Sequence, residues 1–178
     1  MLSRRHFLGL GAAAAASTLI TNPVQAALRT RVERSINLHN LHTGEDLRVV
    51  YWHDGKYQPG ALRQINHILR DHYSGDTHQM DPQVIDLLCA LQHKIGTKKP
   101  FQIVSGYRSP QTNAMLASQS DGVASHSLHM EGKAVDIRLE GMNVPHLARA
   151  AKTLHRGGVG QYPSSNFVHV DVGRVRYW

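Results

Sequence analysis

Two stretches of this 178-residue chain carry residue types suited to chemistry. One runs Ser127-Leu128-His129-Met130-Glu131-Gly132-Lys133-Ala134-Val135-Asp136, the other Phe167-Val168-His169-Val170-Asp171. Together they offer two imidazoles and a carboxylate: His129, Asp136 and His169. That is the ligand set of a catalytic zinc ion, which takes three protein ligands and leaves a fourth tetrahedral position to water. A structural zinc is closed by four ligands, usually with cysteines, and this chain has one Cys. Gly132 and Ala134 are small residues where a turn has to bring an imidazole and a carboxylate onto one ion. Val135-Asp136-Ile137 reads as a buried strand holding a single charge. A carboxylate buried alone is so unfavourable that it neutralises instead, and a cation answers its need for a partner.

Two further residues join this set. His169 and Asp171 lie two apart on an expected strand, so their side chains share a face. Asp171 can serve as a general base toward water, or it can hydrogen-bond a ligating histidine and fix its tautomer. Arg108 follows a strand in Ser105-Gly106-Tyr107-Arg108-Ser109. A guanidinium fixed there can stabilise the charge that builds on an amide oxygen during hydrolysis.

The pattern Ser127-x-His129-x-x-Gly132-x-Ala134-x-Asp136 with a distant His-x-Asp resembles the zinc peptidases of the D-alanyl-D-alanine peptidase/lysostaphin superfamily. It is most similar to the branch of MepK-type (YcbK-like) murein endopeptidases. Leu38 to Glu45, Ser105 to Ser109, Gly157 to Gly160 and the ending Val175-Arg176-Tyr177-Trp178 resemble that branch too, so the likeness covers about residues 30–178. The resemblance implies one zinc ion, and cross-link peptides of peptidoglycan as substrate. It implies the same site for a D,D-carboxypeptidase or dipeptidase, and leaves open a non-catalytic wall-binding module. Some superfamily members place a Glu three residues before the last zinc histidine, others a His two before it. Here Asn166 and Val168 stand at those positions, and neither can accept a proton. His126, three residues before His129, is another candidate.

The rest of the chain must position these groups. The length suits one domain with its own core. The alternation in Arg34–Leu38 and Leu47–Trp52 around Gly44 predicts a β-hairpin. Pro59 opens a helix with Leu62, Ile65, Leu69 and Tyr73 on one face. Asp81-Pro82 starts a second helix and Gly96 stops it. Phe101–Val104 reads as a strand feeding the Arg108 loop, and Pro110 opens a short helix. Ala134–Leu139 and Phe167–Val172 are the strands that carry the ligands, with a helix over 144–154 between them. The run Gly157-Gly158-Val159-Gly160 suggests a close backbone approach to substrate or a tight turn; it lacks the Lys-Ser/Thr of a P-loop. Helices and strands do not alternate regularly. The expected class is therefore α+β: a single domain in which a small antiparallel sheet carries the zinc site and helices pack outside.

Ser3-Arg4-Arg5-His6-Phe7-Leu8 precedes an apolar run from Phe7 to Ile20 and a small-residue cleavage site, Val24-Gln25-Ala26. The run of 14 residues falls short of the ~20 needed to span a bilayer. Residues 1–26 read as a cleaved export signal of twin-arginine type, 27–34 as a linker and 35–178 as the peptidase domain. The expected location is therefore the periplasm or cell envelope. The formal net charge is +7; without residues 1–26 there remain 18 basic and 13 acidic residues, a net +5. That balance suits a polyanionic partner such as a wall polymer. No basic run interleaved with aromatics favours nucleic acid, and no Gly-x-Ser-x-Gly element favours a serine hydrolase. Cys89 reads as a buried small hydrophobe.

Overall fold

The computed structural model describes residues 33–120 and 122–178. The expected export signal and residues 27–32 of the expected linker lie outside the described residues. Strand β1 (Glu33–Asn40) takes in the last two residues of the expected linker. Arg34 is held there by Asp86, 3.1 Å away, and by the Trp52 ring 4.2 Å beneath its guanidinium. β1 pairs antiparallel with β2 (Asp46–His53), as the hairpin pattern predicts, and β2 with β3 (Lys56–Tyr57).

Helices α1 (Pro59–Ile68) and α2 (Pro82–Ile95) follow. Asp81 caps α2 by accepting from the Gln83 amide, and Gly96 ends it at φ 74°. α1 stops short of Tyr73, which lies 57% exposed on the next loop rather than on the helix face. The reason is Asp71. Its buried carboxylate accepts from the amides of Tyr73 (2.9 Å) and Ser109 (2.8 Å), offering the backbone an alternative to further helix. Burial alone would raise the Asp71 pKa; hydrogen bonds from Thr112, Ser109 and Tyr73 bring it down to about 2.

Then come β4 (Phe101–Ser105), α3 (Pro110–Gln119), a 3-10 turn (Leu128–Glu131), β5 (Ala134–Leu139), α4 (Val144–Lys152), β6 (Gly158–Tyr162), β7 (Phe167–Asp171) and β8 (Arg176–Tyr177). The described residues form one open sheet in the order β3-β2-β1-β4-β5-β7-β6-β8. The class is α+β as expected, but the sheet is neither small nor purely antiparallel. β4 runs parallel to β1 and β8 parallel to β6. α1 and α2 carry the chain back so that Phe101 enters beside Leu38, and β4 repeats the direction of β1. β8 cannot hairpin onto β7, whose two edges already pair with β5 and β6.

The centre of the sheet sets the site. Val135 and Ile137 of β5 and Val168 and Val170 of β7 are all fully buried in the core, each worth ~1.5–3 kcal/mol of burial. Strand alternation then turns Asp136, His169 and Asp171 to the opposite face. Asp136 stands directly across from His169 in the register.

Candidate metal centre

His129 sits in the 3-10 turn that delivers the chain to β5. Ser127 Oγ caps this turn from the His129 amide, and Gly132 ends it in the left-handed region at φ 66°. A Cβ on Gly132 would stand 2.5 Å from the Gln79 carbonyl oxygen, so no other residue fits. His129 Nδ1 lies 2.7 Å from the Gly106 carbonyl oxygen. A carbonyl only accepts, so Nδ1 carries the hydrogen and Nε2 presents a lone pair. That Nε2 is 3.2 Å from His169 Nδ1 and 3.3 Å from Asp136 Oδ1.

His169 is held in the converse way. Its Nε2 is 3.0 Å from Asp171 Oδ2 and its Nδ1 is 2.9 Å from Asp136 Oδ1. The carboxylate of Asp171 demands the hydrogen on Nε2, which leaves the Nδ1 lone pair facing Asp136. Two imidazole lone pairs and one carboxylate oxygen therefore converge, all within 4.8 Å of one another. Such a set is repulsive until a cation sits among it. Each ring's other nitrogen is tied to a carbonyl or carboxylate, the outer support that metal-bound histidines use. The residues fit a divalent ion.

The electrostatics of the centre agree. Burial would raise the Asp136 pKa, but His129 and His169 hold its carboxyl well below the usual range. Burial would lower that of His169, but Asp136 and Asp171 push it up to about 9. Positive charge is thus favoured at this group of side chains, and a metal ion binds there in competition with protons.

Asp171 is fully buried. Besides His169, its carboxylate accepts from the amides of Gly158 (2.9 Å) and Gly173 (2.8 Å) and from Arg176 Nη1 (3.2 Å) and Nη2 (2.8 Å). These five donors saturate the roughly four lone-pair directions of a carboxylate. The glycine run makes close approaches within the chain. A Cβ on Gly158 would stand 2.3 Å from Asp171 Oδ2, and one on Gly160 2.5 Å from the Trp178 ring.

Arg108 borders the centre on a tightly pinned loop. The amides of Tyr107, Arg108 and Ser109 donate to Leu69 O (2.7 Å), His129 O (3.2 Å) and Asp71 Oδ2 (2.8 Å). Its guanidinium is held loosely by comparison. Nη2 is 3.7 Å from Asp136 Oδ2 and 3.3 Å from Ser105 Oγ, and Nη1 is 3.4 Å from Asn113 Oδ1. The buried Nε has no hydrogen-bond partner among the described residues. Donor capacity is left over for another group.

A cleft of about 310 Å³ opens over the centre. Arg108, His126, Tyr162, Phe167 and Trp178 are among the residues that line it. Tyr162 and Phe167 stack at 4.5 Å, and Trp178 Nε1 donates to Tyr162 Oη at 2.9 Å. His126 is exposed, with its ring 3.3 Å from Ser125 Oγ. The five residues singled out in the sequence, His129, Asp136, His169, Asp171 and Arg108, all meet here. Gly106, Tyr162, Arg176 and Trp178 were not among them. Their spacing from the ligands carries no signal, because they arrive through strand pairing. The pair His39 and His42 stays apart from the centre: His39 meets Asp46, and His42 meets Val104 O and stacks on His72 at 3.6 Å.

An open α+β sheet that presents two histidines and an aspartate below a cleft defines a protein equipped to hold a metal ion. The particular group follows from comparison with known proteins. The family model described as peptidoglycan L,D-endopeptidase MepK, of the M15 peptidases, matches residues 28–178, and the chain belongs to that family. It is 40% identical over 176 residues to peptidoglycan L,D-endopeptidase MepK of Escherichia coli K12, covering 99% of this chain and 97% of the relative. It is 36% identical over 177 residues to a probable peptidoglycan L,D-endopeptidase MepK of Haemophilus influenzae, covering 99% and 95%.

Proposed function

We propose that this protein is a zinc-dependent endopeptidase that hydrolyses cross-link peptides of peptidoglycan, at the L,D type of bond named for its relatives. The observation that carries this reading is the convergence of His129 Nε2, His169 Nδ1 and Asp136 Oδ1, with each ring's second nitrogen already held. Zinc is the ion that best suits three N/O ligands without a thiolate in a hydrolytic site. When bound it supplies Lewis acidity toward a carbonyl and acidifies water. Around it, Arg108 offers its free donor capacity to the oxygen that becomes negative as the amide is attacked. Asp171 keeps the hydrogen of His169 on Nε2. His126, exposed in the lining of the same cleft, is a titratable side chain left to move a proton.

The expected experiment is digestion of purified cross-linked muropeptides. L,D-linked dimers should yield monomers, a chelator should stop the reaction, and stoichiometric zinc should restore it. Release of terminal D-Ala without dimer cleavage would make the protein a carboxypeptidase on the same site. Zinc binding with no product from any muropeptide would make it a wall-binding module.

Among the described residues no helix is long and apolar enough to cross a membrane. Export to the cell envelope is supported by the twin arginines ahead of the short apolar run and by the family match beginning at residue 28, beside the expected cleavage at Ala26–Ala27. Replacing Arg4-Arg5 by Lys-Lys should stop export through the twin-arginine route, because a receptor reads that pair. Unchanged export of the double variant in cells left only the general secretory route would assign the signal to that route.

A further inference from the structure

The last strand reaches into the metal centre. The turn after β7 places the Gly173 amide on Asp171, and the chain then enters β8 with Arg176 registered against Gly158 of β6. Gly158 leaves the space that this needs: a Cβ there would stand 2.7 Å from Arg176 Nη1. The guanidinium forks over the buried carboxylate, Nη1 on Oδ1 and Nη2 on Oδ2. Trp178 covers it, with Arg176 Cζ 4.9 Å from the indole centroid and the indole 5.4 Å from the His169 ring. Two parallel N–H···O bonds fix a carboxylate's plane as well as its position, which a single donor does not do.

We propose that Arg176 is a positioning residue of the metal centre: by clamping Asp171 it sets the His169 ring so that Nδ1 meets Asp136 and His129. The assignment rests on the reading of those three residues as zinc ligands. Arg176 makes no contact with the ligands themselves and acts through Asp171. Without the clamp, Asp171 keeps two backbone amides on Oδ1 but loses the partner that orients Oδ2, the atom that holds His169.

Zinc titration against a competing chromophoric chelator tests this in the wild type, Arg176→Gln and Arg176→Lys. Arg176→Gln should weaken zinc ~10–100-fold, the range for losing an outer hydrogen-bonding partner of a ligand, and Arg176→Lys, with a single ammonium nitrogen in place of a planar fork, should fall between. Excess zinc should restore kcat in both with KM unchanged. The His169 Nε2 proton, slow to exchange in the zinc-loaded wild type by nitrogen-edited NMR, should exchange faster in Arg176→Gln. A purely structural part in docking β8 would instead lower the melting temperature of chelated protein and leave zinc affinity alone. Wild-type zinc affinity in folded Arg176→Gln overturns the proposal; if Gln prevents folding, wild-type affinity in Arg176→Lys overturns it. Failure of the wild type to bind zinc overturns the reading of the centre, and this assignment with it.

Discussion

His129→Ala and His169→Ala should each abolish muropeptide cleavage. Either change leaves one imidazole and one carboxylate on the ion, too few to hold it or to fix its remaining positions. Zinc affinity should fall by more than the ~10–100-fold that accompanies loss of an outer hydrogen bond, since here a ligand itself is gone. The two variants differ in what else they disturb. His129 is 3% exposed and donates to Gly106 O, so its loss also removes a contact to the loop that carries Arg108. The His169 side chain is 12% exposed, and without it Asp171 keeps Arg176 and two amides. His169→Ala is therefore the cleaner test. Its chelated form should melt cooperatively, while zinc should not raise its melting temperature, in contrast to the rise expected for the wild type. A variant that had lost zinc yet still cleaved murein would remove these residues from the chemistry.

The second large effect is expected at Arg108. Arg108→Ala should lower kcat ~10²–10³-fold, the usual loss for a donor aimed at a developing oxyanion. Zinc affinity should stay at the wild-type value, because a guanidinium does not ligate a cation. Asp171→Asn is the informative contrast. A general base replaced by Asn costs ~10²–10⁴-fold in turnover with the metal retained. A residue that orients a ligand costs metal affinity instead, ~10–100-fold, and added zinc brings activity back. The geometry favours rescue: Asp171 is fully buried and its lone pairs are taken up by five donors, so none faces the cleft. A zinc titration of the variant's activity separates the two roles. Rescue turns the search for the proton acceptor to the segment 122–128, with His126 as the first residue to replace.

How much of this was legible beforehand differs from residue to residue. The ligand types could be named from the chain alone because they lie in short strings whose local physics is strong. A glycine must follow His129 where the 3-10 turn reverses, and alternation along a five-residue strand puts His169 and Asp171 on one face whatever surrounds them. The caps of α2 were equally local, as Asp81, Pro82 and Gly96 act on amides within a turn of themselves. The length of α1 was not, because the Asp71 carboxylate that draws the chain away from the helix reaches forward to Ser109, a partner brought near only by the fold. Strand directions escaped for a similar reason: whether β4 runs with or against β1 depends on where α1 and α2 return the chain. The same holds for the finest feature of the centre. The three candidate ligands can be named from residue type and spacing. The nitrogen each histidine turns to the ion is decided by Gly106 O on one side and by Asp171 under Arg176 on the other. Those contacts join residues far apart in the chain, and a hydrogen bond acts over only about 3 Å. Such partners exist once the sheet has closed the distance between them, so it was the tertiary structure that decided them.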